Sequence, residues 1–277
     1  MKIYVALIRN GNAERDRVLL KGIESLRNFW GEDVELDIRS FIDQPQLIAH
    51  SFFQRLKMLI NHYRYFVPWQ IFVRNADPFL LRLTHLLHMF LVDLCALIKN
   101  WLRKDLASAR QQANTAKHIS SWRAFTASDS QAALVLEDDG FLLSQESPDK
   151  LVTKLSALAL AIRNSESLQI LNLSRPFTLK ELGYSHHVES FQGGFVKLEV
   201  PTVNTTSAYV ISKALATEIV GCLSENSTFS NADLLLARIL LELRKVHSRK
   251  GNQIACLHAD PAIFDNASLT GEIPTTL

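Results

Sequence analysis

The residues best suited to chemistry lie mid-chain, in Leu134-Val135-Leu136-Glu137-Asp138-Asp139-Gly140. An apolar run fit for a buried strand enters three consecutive carboxylates and then a glycine. Strands buried on both faces read as such continuous runs, and a ligand crevice is expected outside their carboxyl ends. Two carboxylates about 4 Å apart repel by roughly 4 kcal/mol at an effective dielectric near 20, so the cluster requires a compensating cation. Side chains alternate along an extended segment, which predicts Glu137 and Asp139 on one side and Asp138 on the other. An acid-x-acid pair at a strand end suits Mg²⁺ or Mn²⁺ held against a diphosphate, because hard cations take oxygen ligands and keep places for phosphate. The competing reading of the same residues is a solvated turn. A phosphate-accepting receiver domain is excluded. Its acids stand near the N-terminus and need an Asp on a later strand, whereas the next strand candidate here ends in Asn172-Leu173-Ser174.

The elements that must position these acids can be read along the chain. Lys2 to Ile8 reads as a buried strand and Arg9 to Asn12 as a turn. Asn12 or a neighbour caps a helix to about Phe29 that presents Val18, Leu19, Gly22, Ile23 and Leu26 on one face. Val34 to Ile42 is a second strand, which makes a βαβ opening of the kind used in nucleotide-binding sheets and points to an α/β fold. Ala116 to Phe125 forms a helix leading to the acidic strand, and after Gly140 a loop runs to Ser147-Pro148. Serine as N-cap and proline at the first helical position start a helix to about Arg163. Leu168 to Leu173, Val196 to Val203, Ser207 to Ser212 and Ile254 to Leu257 are strands. Helices start at Lys213 and at Ser230-Asn231, the latter running to about Val246. Residues 175–196 read as a loop over the site in which the pair His186-His187 is incidental, and the tail from Thr270 as loose polar chain.

Composition narrows the class. With 277 residues and 47% hydrophobic residues the chain has material for one large domain, and global disorder is excluded. A net charge of +2 argues against general nucleic-acid binding. Cys95, Cys222 and Cys256 match no zinc or redox spacing and fit a reducing compartment. The start of the chain reads as a strand followed at once by charges rather than as a signal peptide, so the expected location is cytoplasmic.

Residues 50–117 differ from the rest. They hold ten Lys/Arg and three acids, a surplus of +7 against −5 for the remainder. The pattern is helical, with Pro68 and Pro78 as breaks. Between Phe79 and Ile98 the Leu, Ile, Phe and Val residues favour insertion by roughly −4 to −7 kcal/mol, but Arg82 and Asp93 oppose it by up to about +5 to +7 kcal/mol, so spanning is not expected. At 100° per residue Arg82, His85, Asp93, Asn100, Arg103 and Lys104 share one stripe, opposite Leu83, Leu87, Phe90, Leu91, Leu94, Ile98 and Trp101. The first use of such an amphipathic helix is to cover a core or a partner subunit. The second is peripheral contact with an anionic membrane surface through 79–104.

In their order the pieces resemble glycosyltransferase family 25, which includes bacterial lipooligosaccharide galactosyltransferases. The likeness rests on Ala6-Leu7-Ile8-Arg9 with Glu14-Arg15, on Lys117 to Trp122 (KHISSW), on Leu134 to Asp139 (LVLEDD), on Gln169 to Leu173, on Ser207 to Ser212 (SAYVIS) and on Asp233. It covers roughly residues 1–45 and 115–265. Two features depart from the family pattern: the Gly/Cys-containing turn before the Ser-His pair is missing, with Lys117 in the serine's place, and 50–113 is an atypical helical segment.

The resemblance implies a GT-A-like, Rossmann-type mixed sheet flanked by helices: one domain over 1–277 with a basic helical insertion at about 46–115. It implies an inverting, metal-dependent transfer of a hexose, galactose foremost, from a UDP-sugar to a glycan acceptor such as lipopolysaccharide or another surface polysaccharide. Glu137 and Asp139 would then hold Mn²⁺ or Mg²⁺, with His258 as a nitrogen ligand and Asp138 in support. Arg15 would meet donor phosphate or hold the first turn, His118 would contact donor or acceptor or be a satisfied structural histidine, and Asp233 would act as base toward the acceptor hydroxyl or serve only the helix dipole. Tyr209 is expected in the core. The alternative is a catalytically inactive relative of the same fold that serves as a scaffold and docks through its basic segment.

Overall fold

The computed structural model describes residues 2–42, 106–142, 148–163, 168–174, 188–191, 195–198, 206–223, 231–249, 253–260 and 262–266, with scattered positions between 52 and 98 that are helical. In chain order the elements are β1 (Lys2–Ile8), α1 (Ala13–Trp30), β2 (Glu35–Phe41), α2 (Leu106–Thr126), β3 (Ala132–Glu137), β4 (Gly140–Leu142), α3 (Pro148–Arg163) and β5 (Gln169–Asn172). There follow β6 (Val188–Phe191), β7 (Phe195–Leu198), β8 (Ala208–Ser212), α4 (Lys213–Gly221), α5 (Ala232–Ser248), β9 (Ala255–Ala259) and β10 (Phe264–Asn266).

Eight strands form one mixed sheet in the order β2-β1-β3-β8-β5-β9-β7-β6. β2, β1 and β3 are parallel, β8 runs against both of its neighbours, β9 is parallel to β5, and β7 and β6 add an antiparallel hairpin at the far edge. The α/β class is the one that the βαβ opening predicts, and the mixed sheet flanked by helices is compatible with a Rossmann-like fold.

Alternation along the strands builds two cores. Ile3, Val5, Leu7, Leu134 and Leu136 pack with Leu19, Ile23 and Leu26 of α1 and with Leu155, Leu158 and Ile162 of α3. Tyr4, Ala6, Ile8, Ala133 and Val135 pack with Ile119, Trp122 and Phe125 of α2, and with residues of α4 and α5. The connection from β1 to β2 goes one way across the sheet and that from β2 to β3 goes the other, which is why α1 and α2 cover opposite faces under right-handed crossover. The crevice between the carboxyl ends of β1 and β3 is therefore a topological switch point.

Several elements differ from the sequence expectation. α2 begins at Leu106, ten residues before the expected Ala116, so the end of the supposed insertion is continuous with a core helix. Residues 106–115 (LASARQQANT) are rich in good helix formers but carry no apolar stripe, so propensity and not periodicity extends the helix. The loop expected after Gly140 begins with β4, which pairs with β10 across more than 120 residues of chain. A three-residue strand leaves no period to read. The loop expected at 175–196 ends in the β6–β7 hairpin. His186, His187 and the tail from Thr270 lie outside the described residues.

The turn after β1 is fixed by Gly11, whose φ of 76° suits glycine, and by Asn12, whose side chain accepts from the backbone N–H groups of Glu14 and Arg15. Asn12→Ala should lower stability by about 1 kcal/mol in urea unfolding, the usual cost of a lost N-cap.

Candidate functional site

β3 ends at Glu137, and Asp138 and Asp139 form the turn into β4. Gly140 makes that turn possible. A Cβ at this position would lie 2.9 Å from the Ser207 carbonyl oxygen and 3.3 Å from that of Glu137, so a side chain would push the turn off the backbone entering β8. The Glu137 N–H donates to the same Ser207 oxygen at 2.8 Å.

The first two acids turn to opposite faces, as alternation predicts. Glu137 faces α2, where its Oε1 accepts from His118 Nε2 at 2.8 Å, Asn114 Nδ2 at 3.3 Å and Thr206 Oγ1 at 2.7 Å. Asn114, His118 and Trp122 are spaced four residues apart and so lie on one face of α2. Trp122 Nε1 donates to Tyr209 Oη at 2.7 Å, and Tyr209 Oη lies 3.1 Å from His118 Nδ1. An indole N–H can only donate. The phenol oxygen therefore accepts from Trp122, and the direction of its contact with His118 Nδ1 depends on the imidazole's protonation. Burial pushes the Glu137 carboxyl up, but the interactions with His118 and the bonds from Thr206 and Asn114 outweigh it and hold the group below its usual range. Among the described residues all these bonds end on Oε1, and the side chain keeps 16% exposure.

Asp138 is buried toward α1. It accepts from the backbone N–H of Asn10 at 2.9 Å, from Asn10 Nδ2 at 3.3 Å and from Arg15 Nη1 at 3.3 Å. Burial raises its pKa, and the Asn10 bond and the Arg15 charge only partly offset that. Lys117 Nζ donates to Arg9 O at 2.6 Å and Asn10 Oδ1 at 2.7 Å, and burial lowers its pKa. Arg9 in turn pairs through two nitrogens with Asp16. Among the described residues a shallow groove of about 450 Å³ starts from this pair and runs along α1 past Arg17, Leu20, Lys21 and Glu24.

The predicted site residues thus separate. Arg15, His118, Glu137, Asp138 and Asp139 come together at the carboxyl edge of β1 and β3. His118 is fully buried with both ring nitrogens engaged, so its reach ends on Glu137 and Tyr209. Arg15 is bonded to Asp138 and is likewise buried. Asp139 is half-buried in the turn. Asp233 is half-buried in the first turn of α5. Because α5 returns to β9, which runs parallel to β3, that turn lies at the same edge of the sheet. His258 does not join them. Its row in the sheet is His258–Asn172–Tyr209–Val135, so three strand spacings, roughly 14 Å, part it from β3. Among the described residues no group of three or more His, Cys, Asp or Glu side chains is arranged to hold a metal ion. Asn10, Asn114 and Thr206 were not expected at the site. The four-residue spacing of Asn114, His118 and Trp122 is the one signal in the sequence that could have shown the first of its two helical partners.

No protein-family model matches the chain, and no curated protein matches it significantly.

Two outcomes follow from this geometry. Asp138→Asn leaves the buried Arg15 guanidinium without its counter-charge and should cost about 3–5 kcal/mol, whereas Asp138→Asn combined with Arg15→Leu should cost clearly less than the sum of the single changes. A double-mutant cycle by urea denaturation checks this. Glu137 has its pKa lowered on folding, so its contribution is present above the usual value of 4.5 and fades as pH falls through the folded value. The stability gap between wild type and Glu137→Gln should therefore narrow below pH 4.5, which unfolding midpoints across a pH series measure.

Proposed function

We propose that the protein is a glycosyltransferase that moves a hexose from a UDP-sugar, galactose by the family resemblance, to a glycan hydroxyl, with the donor at the switch point between β1 and β3. The observation that carries this reading is the convergence, at the carboxyl edge of a parallel βαβ unit, of three carboxylates with Arg9, Arg15 and Lys117 from the surrounding elements. A GT-A-type sheet belongs to the same proposal.

In this reading Asp138 and Arg15 are positioning residues that lock the end of β3 onto α1, while Asn114, His118 and Thr206 aim Glu137. The divalent cation fits a substrate-bridged mode, which needs one or two carboxylates and takes its other ligands from phosphate and water. Glu137 and Asp139 would hold it. When bound it would neutralise charge growing on the departing diphosphate. Asp233, at the same edge, accepts the proton of the attacking acceptor hydroxyl. His258 has no part in this arrangement.

A second reading has its own support. Glu137 and Asp138 are both engaged by internal donors, which is also how a relative that kept the fold as a scaffold would be held together. Nucleotide binding separates the two. UDP with Mn²⁺ at about 100 times its dissociation constant should stabilise the enzyme by about 2.7 kcal/mol, a rise in melting temperature on the order of 5–10 °C. Asp139→Asn should remove the manganese-dependent part, and UDP-hexose with acceptor should release UDP. No shift with any nucleotide would leave the scaffold.

A further inference from the structure

We infer that the segment between β2 and α2 is a docking arm for an anionic membrane surface. Its two ends stand at the edge of the sheet that holds the acidic turn. β2 is parallel to β1 and β3, so the chain leaves the sheet after Phe41 at the carboxyl edge. α2 leads into β3 and therefore begins at that edge. His118 meets Glu137, and Leu106 stands twelve residues before it, about 18 Å along the axis of α2.

The described positions of the segment carry an apolar surface facing solvent. Leu83, Leu87, Leu91 and Ile98 are 49%, 58%, 49% and 40% exposed, and their spacing of four, four and seven residues sets them on one helical face. Phe90 and Leu94 share that face and are half-buried, while Phe53 and Ile60 add exposed apolar side chains. No helix among the described residues is long and apolar enough to cross a membrane.

Charge selects the occupant. Setting aside Lys117, whose ammonium is held by Arg9 and Asn10, residues 50–116 have nine Lys/Arg against three acids, a surplus of +6. Two copies of this segment would repel each other, whereas an anionic bilayer attracts it and takes up the leucine face at the level of its headgroups. A basic residue near such a surface contributes about 1 kcal/mol, or roughly fivefold in partitioning. The inference stands apart from the donor reading, because it concerns a different surface and is read without nucleotide.

Flotation of the full chain with phosphatidylcholine vesicles, with and without about one-third phosphatidylglycerol, tests it. The wild type should float with the anionic vesicles and not with the neutral ones, and raised salt should weaken binding. Arg103→Glu/Lys104→Glu should lower partitioning by about 25-fold or more, and Leu87→Glu/Leu91→Glu should abolish it while the melting temperature stays unchanged. Flotation indifferent to lipid charge or to both variants would overturn the inference. So would an absence of vesicle binding, whether the protein is monomeric or, by light scattering, a dimer that Leu87→Glu/Leu91→Glu dissolves.

Discussion

Adjacent carboxylates at the end of a buried strand are the constraint around which the structure is arranged. Side by side in a protein interior Glu137 and Asp138 would repel by several kcal/mol. Strand alternation removes the conflict by sending one to each face of the sheet, and each then needs its own donors. α2 supplies Asn114 and His118 on one side; the end of β1 and the start of α1 supply Asn10 and Arg15 on the other. The same contacts therefore tie both helical layers to β3 at one point. Lys117 closes the arrangement, reaching from α2 to the backbone after β1.

The two acids are held in different ways, and the difference bears on chemistry. Asp138 spends its carboxylate on a buried ion pair and on the turn after β1, so what it supplies is a fixed geometry. Glu137 receives three donors on one oxygen, which keeps it ionised and oriented. A pinned charge is pre-organised for a ligand that itself needs negative charge or an acceptor. The Trp122–Tyr209–His118 chain behind it is buried, so the orientation of Glu137 is set from inside the core and not by solvent.

Much of this was legible in the sequence, for identifiable reasons. β1, α1, α3 and α5 announce themselves through continuous apolar runs, a helical stripe, or capping residues at the start. The opposite orientation of Glu137 and Asp138 follows from the period of two. What was not legible depends on long-range partners. β4 exists because β10 lies beside it, and the expected ligand His258 is set apart by a strand order, β3-β8-β5-β9, that no local pattern encodes. For His118 and Arg15 the sequence left a ligand contact and a structural role both open. Their burial follows from the need to neutralise and orient acids that are themselves partly inside, a need visible only once the strand end is placed against both helices.

One consequence joins the two ends of the molecule's charge distribution. The acid-bearing turn and the basic segment leave the sheet at the same edge. An anionic surface attracts the segment and repels the acids, so the molecule would settle with its basic arm on the surface. A donor carrying a diphosphate is soluble and enters the crevice from solution. If transfer and docking both hold, the acceptor that suits this geometry is one anchored in the bilayer, whose glycan end rises from the surface to the level of the turn. A freely diffusing acceptor would gain nothing from the arm.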